Sequence, residues 1–223
     1  MNLDHLTRQL DILPIDKLGK EITVIGAGAI GSFTVLALTK MGFQNIKVYD
    51  FDSVSVENMN CQWYRFKDIG TPKVEALKDL IREFTRVEIT AFNEKWENQP
   101  LSGIVISAVD SMEVRKKIWE HVKNNYKVPW IIDPRMASEY ALSYVMDPND
   151  SKDQVSYEKT LYTDAQGVQE PCTRKATIYS STLIAGHVVK QVKDLLTQGP
   201  YSRVTNWDIA LNNQLTWRKN VEH

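Results

Sequence analysis

The sequence predicts an α/β fold of Rossmann type, with a mainly parallel sheet that becomes antiparallel in its second half. Three observations carry that expectation. The apolar pair Val24-Ile25 runs straight into Gly26-Ala27-Gly28-Ala29-Ile30-Gly31, the pattern of a strand, a tight turn and a helix that faces a phosphate group. Asp50 and Asp52 close a second apolar run about twenty residues later, where such units place an acidic residue. Ile104 to Val109 is a short continuous apolar run, the mark of a strand buried on both faces of a parallel sheet.

Each element follows in order. Gly26 allows the tight turn out of the first strand, Gly28 lets the backbone approach a phosphate, and Gly31 lets the helix pack on the sheet. The helix N-terminus then presents free N–H groups to an anion. Ile46 to Tyr49 forms the next strand and ends at Asp50, whose carboxylate can accept hydrogen bonds from both ribose hydroxyls. Pro72 to Phe84 carries Val74, Leu77, Leu80, Ile81 and Phe84 at helical spacing, and Val87 to Ala91 alternates like a strand. Asp110 sits at the carboxyl end of the Ile104–Val109 strand, so Asp50, Asp52 and Asp110 can converge on one crevice. Ser111 to Lys123 reads as a helix, and Val128 to Asp133 as a strand. Tyr140 to Met146 and Val155 to Tyr162 are β-branched and aromatic, with the turn-rich Asp147 to Ser151 between them, and read as antiparallel strands. Ala176 to Leu196 is a long helix stopped by Gly199-Pro200, and a hairpin around Asn212-Asn213 closes the chain.

With 223 residues, 43% of them hydrophobic and 25% charged, the chain can bury one sizeable core. No repeat, linker or low-complexity segment divides it. We expect a single domain over 1–223, with a nucleotide-binding part at about 20–135 and a substrate side at about 136–223. A net charge of -1 gives no electrostatic footprint for nucleic acid or an anionic membrane. No run reaches membrane-spanning length and no signal-peptide core is present, so a cytoplasmic protein is expected. Cys61 and Cys172 are too few for a disulfide framework or a four-cysteine zinc site, and no zinc is expected. His5, His121, His187 and His223 show no ligand spacing.

Between Asp50 and Leu77 the chain reads Asp50-Phe51-Asp52-Ser53-Val54-Ser55-Val56-Glu57-Asn58, then Gln62, then Asp68-Ile69-Gly70-Thr71-Pro72-Lys73-Val74-Glu75-Ala76-Leu77. This ordered set closely resembles the ubiquitin-activating-enzyme-like adenylyltransferases of the ThiF/MoeB/HesA family. The likeness extends to Arg8-Gln9 before the glycine loop and to Val109-Asp110-Ser111 with Arg115 after the central strand. The resemblance implies ATP-dependent activation of a carboxylate, usually the C-terminal glycine of a ubiquitin-like or sulfur-carrier protein. It implies Asp50 on the ribose, Asn58 and Lys73 on the phosphates, and Asp110 on a Mg²⁺ ion. It also implies a homodimer in which Arg8 reaches the neighbouring subunit's nucleotide.

The chain departs from the family at one point. An arginine usually stands in an Asn-x-x-Arg-Gln pattern, but here the sequence is Asn58-Met59-Asn60-Cys61-Gln62, and a thiol does not replace a guanidinium on a phosphate. Arg65 or another cation then supplies the charge, or the activity is weakened or altered. Cys172, before Arg174 and Lys175 and a helix start, reads as a nucleophile with a lowered pKa or as a small packed side chain. Arg135 reads equally as a contact for an acidic substrate tail or as a structural ion pair. Two rival functions share the glycine loop. An NAD-dependent Rossmann oxidoreductase accounts for Asp50 but not for Asn58, Lys73 and Asp110 in that order, and a non-catalytic nucleotide-binding subunit accommodates Cys61.

Overall fold

The computed structural model describes residues 4–163 and 176–217. Its elements run β1 (Ile22–Ile25), α1 (Ala29–Lys40), β2 (Ile46–Tyr49), α2 (Lys73–Thr85), β3 (Thr90–Phe92), β4 (Ile104–Ser107), α3 (Met112–Val122), β5 (Trp130–Ala137), β6 (Tyr140–Met146), α4 (Ser151–Glu158), α5 (Ile178–Leu196), β7 (Val204–Asp208) and β8 (Asn213–Trp217). The strands form one sheet in the order β3-β2-β1-β4-β5-β6-β7-β8. β1 to β5 pair in parallel, and β5 to β8 pair antiparallel. The chain therefore moves outward from β1 in both directions, and a crevice opens beside β1 at the carboxyl ends of the strands.

The sequence explains why each layer sits where it does. β1 and β4 are buried at every residue, as their continuous apolar runs require in the middle of a two-sided sheet. One core joins Val24, Val48, Ile106 and Ile132 of the sheet to Val35 and Leu38 of α1, Leu77 and Ile81 of α2, and Val188 and Val192 of α5. The opposite face packs Val105, Ile131 and Met146 against Ile118 and Trp119 of α3 and Tyr157 of α4. α1 lies between the sheet and α5, so it is apolar nearly all round, whereas α2 has one buried stripe and one exposed face.

The mixed α/β sheet agrees with the sequence reading, and the strand Tyr140–Met146 falls on its expected residues. Val155 to Tyr162 is a correction: the segment expected to be a strand begins inside helix α4. Asp150 caps that helix, accepting from Lys152 N at 2.8 Å and Asp153 N at 3.3 Å. Asp153 and Tyr157, four residues apart, are both buried, and the Tyr157 ring stands edge-on to Trp119 at 4.7 Å. The cap and the burial at helical spacing outweigh the β preference of Val155 and Tyr157. Smaller shifts occur elsewhere. Val87 and Ile89 are buried but precede β3, which pairs only from Thr90, and the final turn spans Ile209 to Asn212, with Asn212 at a φ of 53°.

His187 on α5 packs edge-on to Trp207 of β7 with ring centroids 4.4 Å apart, facing Lys190 and Asp194 of its own helix. Burial first, and Lys190 second, lower its pKa from 6.5 to about 4, with Asp194 opposing. Between those values the unfolded chain holds a proton that the folded chain does not, so stability is full above about pH 6.5 and falls as the pH drops toward 4. Urea unfolding should show a loss of about 2 kcal/mol between pH 7 and pH 5 from this residue. His187→Leu should remove that part of the slope. An identical pH dependence in the wild type and the variant would contradict the assignment.

Candidate functional site

The turn after β1 is shaped by two glycines that nothing larger can replace. Gly26 adopts a φ of +98°, and a Cβ there would lie 2.4 Å from Ala108 O at the end of β4. At Gly31 a Cβ would lie 1.9 Å from Gly26 O, so the first turn of α1 rests directly on the loop. Gly28 is different. The nearest atom to a Cβ built there is Gln62 Nε2 at 4.0 Å, so no neighbour among the described residues requires glycine at this position. The space over Gly28 is open at the N-terminus of α1, where backbone N–H groups face outward.

Two side chains fix the loop. Asp50 Oδ2 accepts from Ala27 N at 2.7 Å while its Oδ1 accepts from Asp52 N at 2.8 Å. The Tyr64 hydroxyl donates to Ala27 O at 2.6 Å, so the buried Ala27 is held at both its N–H and its carbonyl. Burial pushes the Asp50 carboxyl above its ordinary value, against the Ala27 N–H, Lys73 and the Asp52 N–H, which favour its charged form. Burial also raises the Tyr64 hydroxyl well above the usual range, helped by Asp50, Asp68 and Asp52, and so keeps it a donor.

Lys73 opens α2 and is 7% exposed. Its backbone N–H donates to Asp52 O at 2.8 Å, and its Nζ pairs with Asp52 Oδ2 at 2.8 Å. The buried ammonium thus shares its charge with a carboxylate that is half in solvent. Asn58 Oδ1 accepts from Ser55 N at 3.0 Å as the cap of a 3₁₀ turn, and Asn58 O accepts from Gln62 N at 2.9 Å, tying this segment to the residues that cover Gly28. Gln62 Oε1 is buried without a hydrogen-bond partner among the described residues. Cys61 is half-buried, and burial raises its thiol while Lys73 opposes the shift, so a neutral group stands where the family resemblance called for a guanidinium.

Arg65 is already engaged: its guanidinium forks onto Asp68 with contacts of 3.0 to 3.2 Å and reaches Glu83 at 2.6 Å. Asp110 is exposed beyond β4, and the capping of α3 falls to Ser111, whose Oγ accepts from Val114 N at 3.3 Å. Asp110 is therefore available for another role. Arg115 donates to Asp133 Oδ1 and to Val109 O, both at 2.6 Å, bracing the strand end that carries Asp110. Arg135 is an ion-pair residue, bonded to the other oxygen of Asp133 at 2.9 Å and to Thr160 at its carbonyl and hydroxyl. Burial alone would weaken its hold on a proton, but Asp133 more than offsets this and raises its pKa. A cleft of about 310 Å³ is lined by Lys95, Trp96, Glu97, Asn98, Val114 and Lys117, and Lys95 Nζ stands 6.0 Å from the centre of the Phe51 ring.

The structure links Gly26, Gly31, Asp50, Asp52 and Lys73 by direct contacts beyond the ends of β1 and β2, brings Gly28 and Asn58 each to Gln62, and leaves Asp110 exposed two residues past the Ala108 that meets Gly26. It does not bring Arg8 there. Gln9 Nε2 donates to Met41 O at 2.6 Å, and Leu6 packs at Gly42, so the N-terminal segment is anchored at the far end of α1. Cys172 lies outside the described residues. Tyr64 escaped the sequence reading, since its only signal there was its place two residues after Gln62. Among the described residues no helix is long and apolar enough to cross a membrane, and no group of three or more potential metal ligands occurs.

The ThiF family model matches residues 15–221. Over 123 residues, half of this chain, the sequence is 32% identical to tRNA threonylcarbamoyladenosine dehydratase 2 of Saccharomyces cerevisiae. Over 104 residues it is 36% identical to the NEDD8-activating enzyme E1 catalytic subunit of Arabidopsis thaliana. The matched parts span only 28% and 23% of those two proteins. Among solved structures, Escherichia coli MccB with ATP superposes with a TM-score of 0.79 at 14% identity, covering 99% of this chain and 74% of that one.

The glycines separate internal packing from ligand binding. Gly31→Ala should cost about 3 kcal/mol or more, because its Cβ would overlap backbone, whereas Gly28→Ala should cost about 1 kcal/mol, the usual penalty for alanine at a helix N-cap. Urea denaturation of both variants checks this. Equal losses would mean that Gly28 is also an internal packing requirement.

Proposed function

The chain belongs to the ThiF family, and on that premise we propose that it is an adenylyltransferase that uses Mg-ATP to activate the C-terminal carboxylate of a ubiquitin-like or sulfur-carrier protein or peptide. The observation that carries this reading is the convergence of Asp50, Lys73 and the open space over Gly28, a glycine with no internal packing reason to be one. Phosphate oxygens over Gly28 would meet the N–H groups that open α1, with Lys73 supplying positive charge. Asp50 keeps lone pairs for the ribose hydroxyls. Asn58 Oδ1 is committed to its cap, which leaves its amide NH₂ for a phosphate.

In the proposed reaction a substrate carboxylate oxygen attacks the α-phosphorus. A new P–O bond forms, the bond to the bridging oxygen breaks, and pyrophosphate leaves with the electron pair. Lys73 and the loop N–H groups face the charge that builds on the phosphoryl oxygens, in a site whose fixed dipoles need little reorganisation. Asp110, an exposed carboxylate, would hold a Mg²⁺ ion together with the nucleotide, and the ion would neutralise part of the triphosphate charge. No zinc is included.

The name of the NEDD8-activating relative supports activation of a polypeptide, whereas that of the dehydratase relative points to a tRNA nucleoside; this chain's net charge of -1 offers little attraction for tRNA, which favours the polypeptide. The geometry favours adenylation over hydride transfer, because Lys73 and Asp110 have no task in the latter. Arg8 is anchored one helix length from its own glycine loop, about 18 Å for the 12 residues of α1. By the family resemblance Arg8 would reach the nucleotide of a second copy in a two-fold dimer, a reading that its distance from its own loop supports. Arg65 stays on Asp68 and Glu83 in this reading.

Pyrophosphate exchange into ATP tests the proposal, with a small protein ending in glycine as the carboxylate. Exchange should depend on that protein and on Mg²⁺. Lys73→Ala should lower it at least about a hundredfold, and Asp110→Ala should abolish it with the fold intact. Mixing Arg8→Ala with Lys73→Ala chains should restore part of the activity, since one site of each mixed dimer would be whole. Binding of a nicotinamide dinucleotide without any ATP binding would overturn the proposal, as would ATP binding with no exchange for any glycine-ended partner.

A further inference from the structure

The glycine loop has two consecutive peptide planes, and each is held by a different side chain. Asp50 takes the N–H of the Gly26–Ala27 peptide at 2.7 Å. Tyr64 takes the carbonyl of the Ala27–Gly28 peptide at 2.6 Å. In a trans peptide the C=O and N–H point in opposite directions. Holding Ala27 O against Tyr64 therefore turns the Gly28 N–H the other way. The Tyr64 segment is itself anchored on α1, because Trp63 N donates to Ser32 Oγ at 3.0 Å, and Tyr64 is partly buried against the main core. Gly28 has no Cβ to oppose rotation of this peptide; its own carbonyl is held by Ser32 N at 3.0 Å, and among the described residues the Tyr64 hydroxyl is the side-chain group that fixes the Ala27–Gly28 plane.

We propose that Tyr64 is a positioning residue for anion binding, fixing the Ala27–Gly28 peptide so that its N–H, and not its carbonyl, is presented to a phosphate group. The inference rests on reading the crevice as a nucleotide site. Tyr64 touches neither the ligand nor the reacting atoms; it acts through Ala27. Without the hydroxyl, the peptide is free to turn and place a carbonyl oxygen beside the phosphate, replacing attraction with repulsion. The effect should therefore follow the ligand's phosphate and spare its nucleoside.

The test compares Tyr64→Phe with the wild type by calorimetric titration of ATP and of adenosine. The variant keeps the ring that fills the space and removes only the hydrogen bond. ATP should bind about tenfold more weakly, while adenosine affinity stays the same, which also shows that the site is still folded. Unchanged ATP affinity would overturn the inference and leave the nucleotide site standing. Equal weakening for both ligands would overturn it as well, by showing that Tyr64 only supports the fold of the site. A wild-type protein that binds no triphosphate would overturn both the inference and the reading beneath it.

Discussion

The site depends on one constraint: Ala27 must be held on both sides. The strand β1 delivers the chain into a turn that only glycine at 26 and 31 can make, because backbone atoms of Ala108 and of Gly26 itself crowd the places where a Cβ would sit. Close packing alone leaves the next peptides free to rotate. Asp50 and Tyr64 remove that freedom with hydrogen bonds of 2.7 and 2.6 Å, and they come from elements far apart in the chain. The end of β2 and the loop before α2 thereby become part of the proposed phosphate cradle. The open space at Gly28 is meaningful only because its surroundings are fixed.

Charge is distributed with the same economy. Arg65 is matched by Asp68 and Glu83, and Arg115 and Arg135 share Asp133. Glu83 is exposed, but Asp68, Asp133 and the three arginines are buried or partly buried and hold strand ends and helices in register, so removing one buried partner would leave an uncompensated charge. Lys73 is matched too, but by a carboxylate that is half-exposed. Water can take over the solvation of Asp52 when an anion approaches Lys73, which is far cheaper than stripping Asp133 from its arginines. That difference in burial makes Lys73 better suited to a ligand than the cations paired with Asp133, and with Cys61 neutral the proposed phosphate recognition would rest on Lys73 and the backbone.

Much of this was legible in the sequence. The glycine spacing, the acidic end of β2 and the apolar run of β4 encode the parallel half directly, because buried strands and tight turns leave narrow choices of residue. The ordered set from Asp50 to Lys73 carried most of the site. The helix α4 was not legible, since Val155 and Tyr157 favour strands by propensity and only the cap at Asp150 and the packing on Trp119 decide otherwise. The engagement of Arg65 and Arg135 was also hidden, because pairing depends on which carboxylates the fold brings near. Tyr64 was hidden for a related reason: a tyrosine among other aromatic residues gives no sign that its hydroxyl meets a carbonyl 37 positions away.

Backbone amide resonances offer the most direct measurement of the central claim, that the fixed glycine loop is a triphosphate cradle. On addition of ATP with Mg²⁺, the amides of Gly28, Ala29 and Ile30 should shift strongly and saturably, those of Lys73 and Asp110 should follow, and those of β7 and β8 should stay in place. Saturable shifts confined to another part of the sheet, with the glycine-loop amides unmoved, would contradict it.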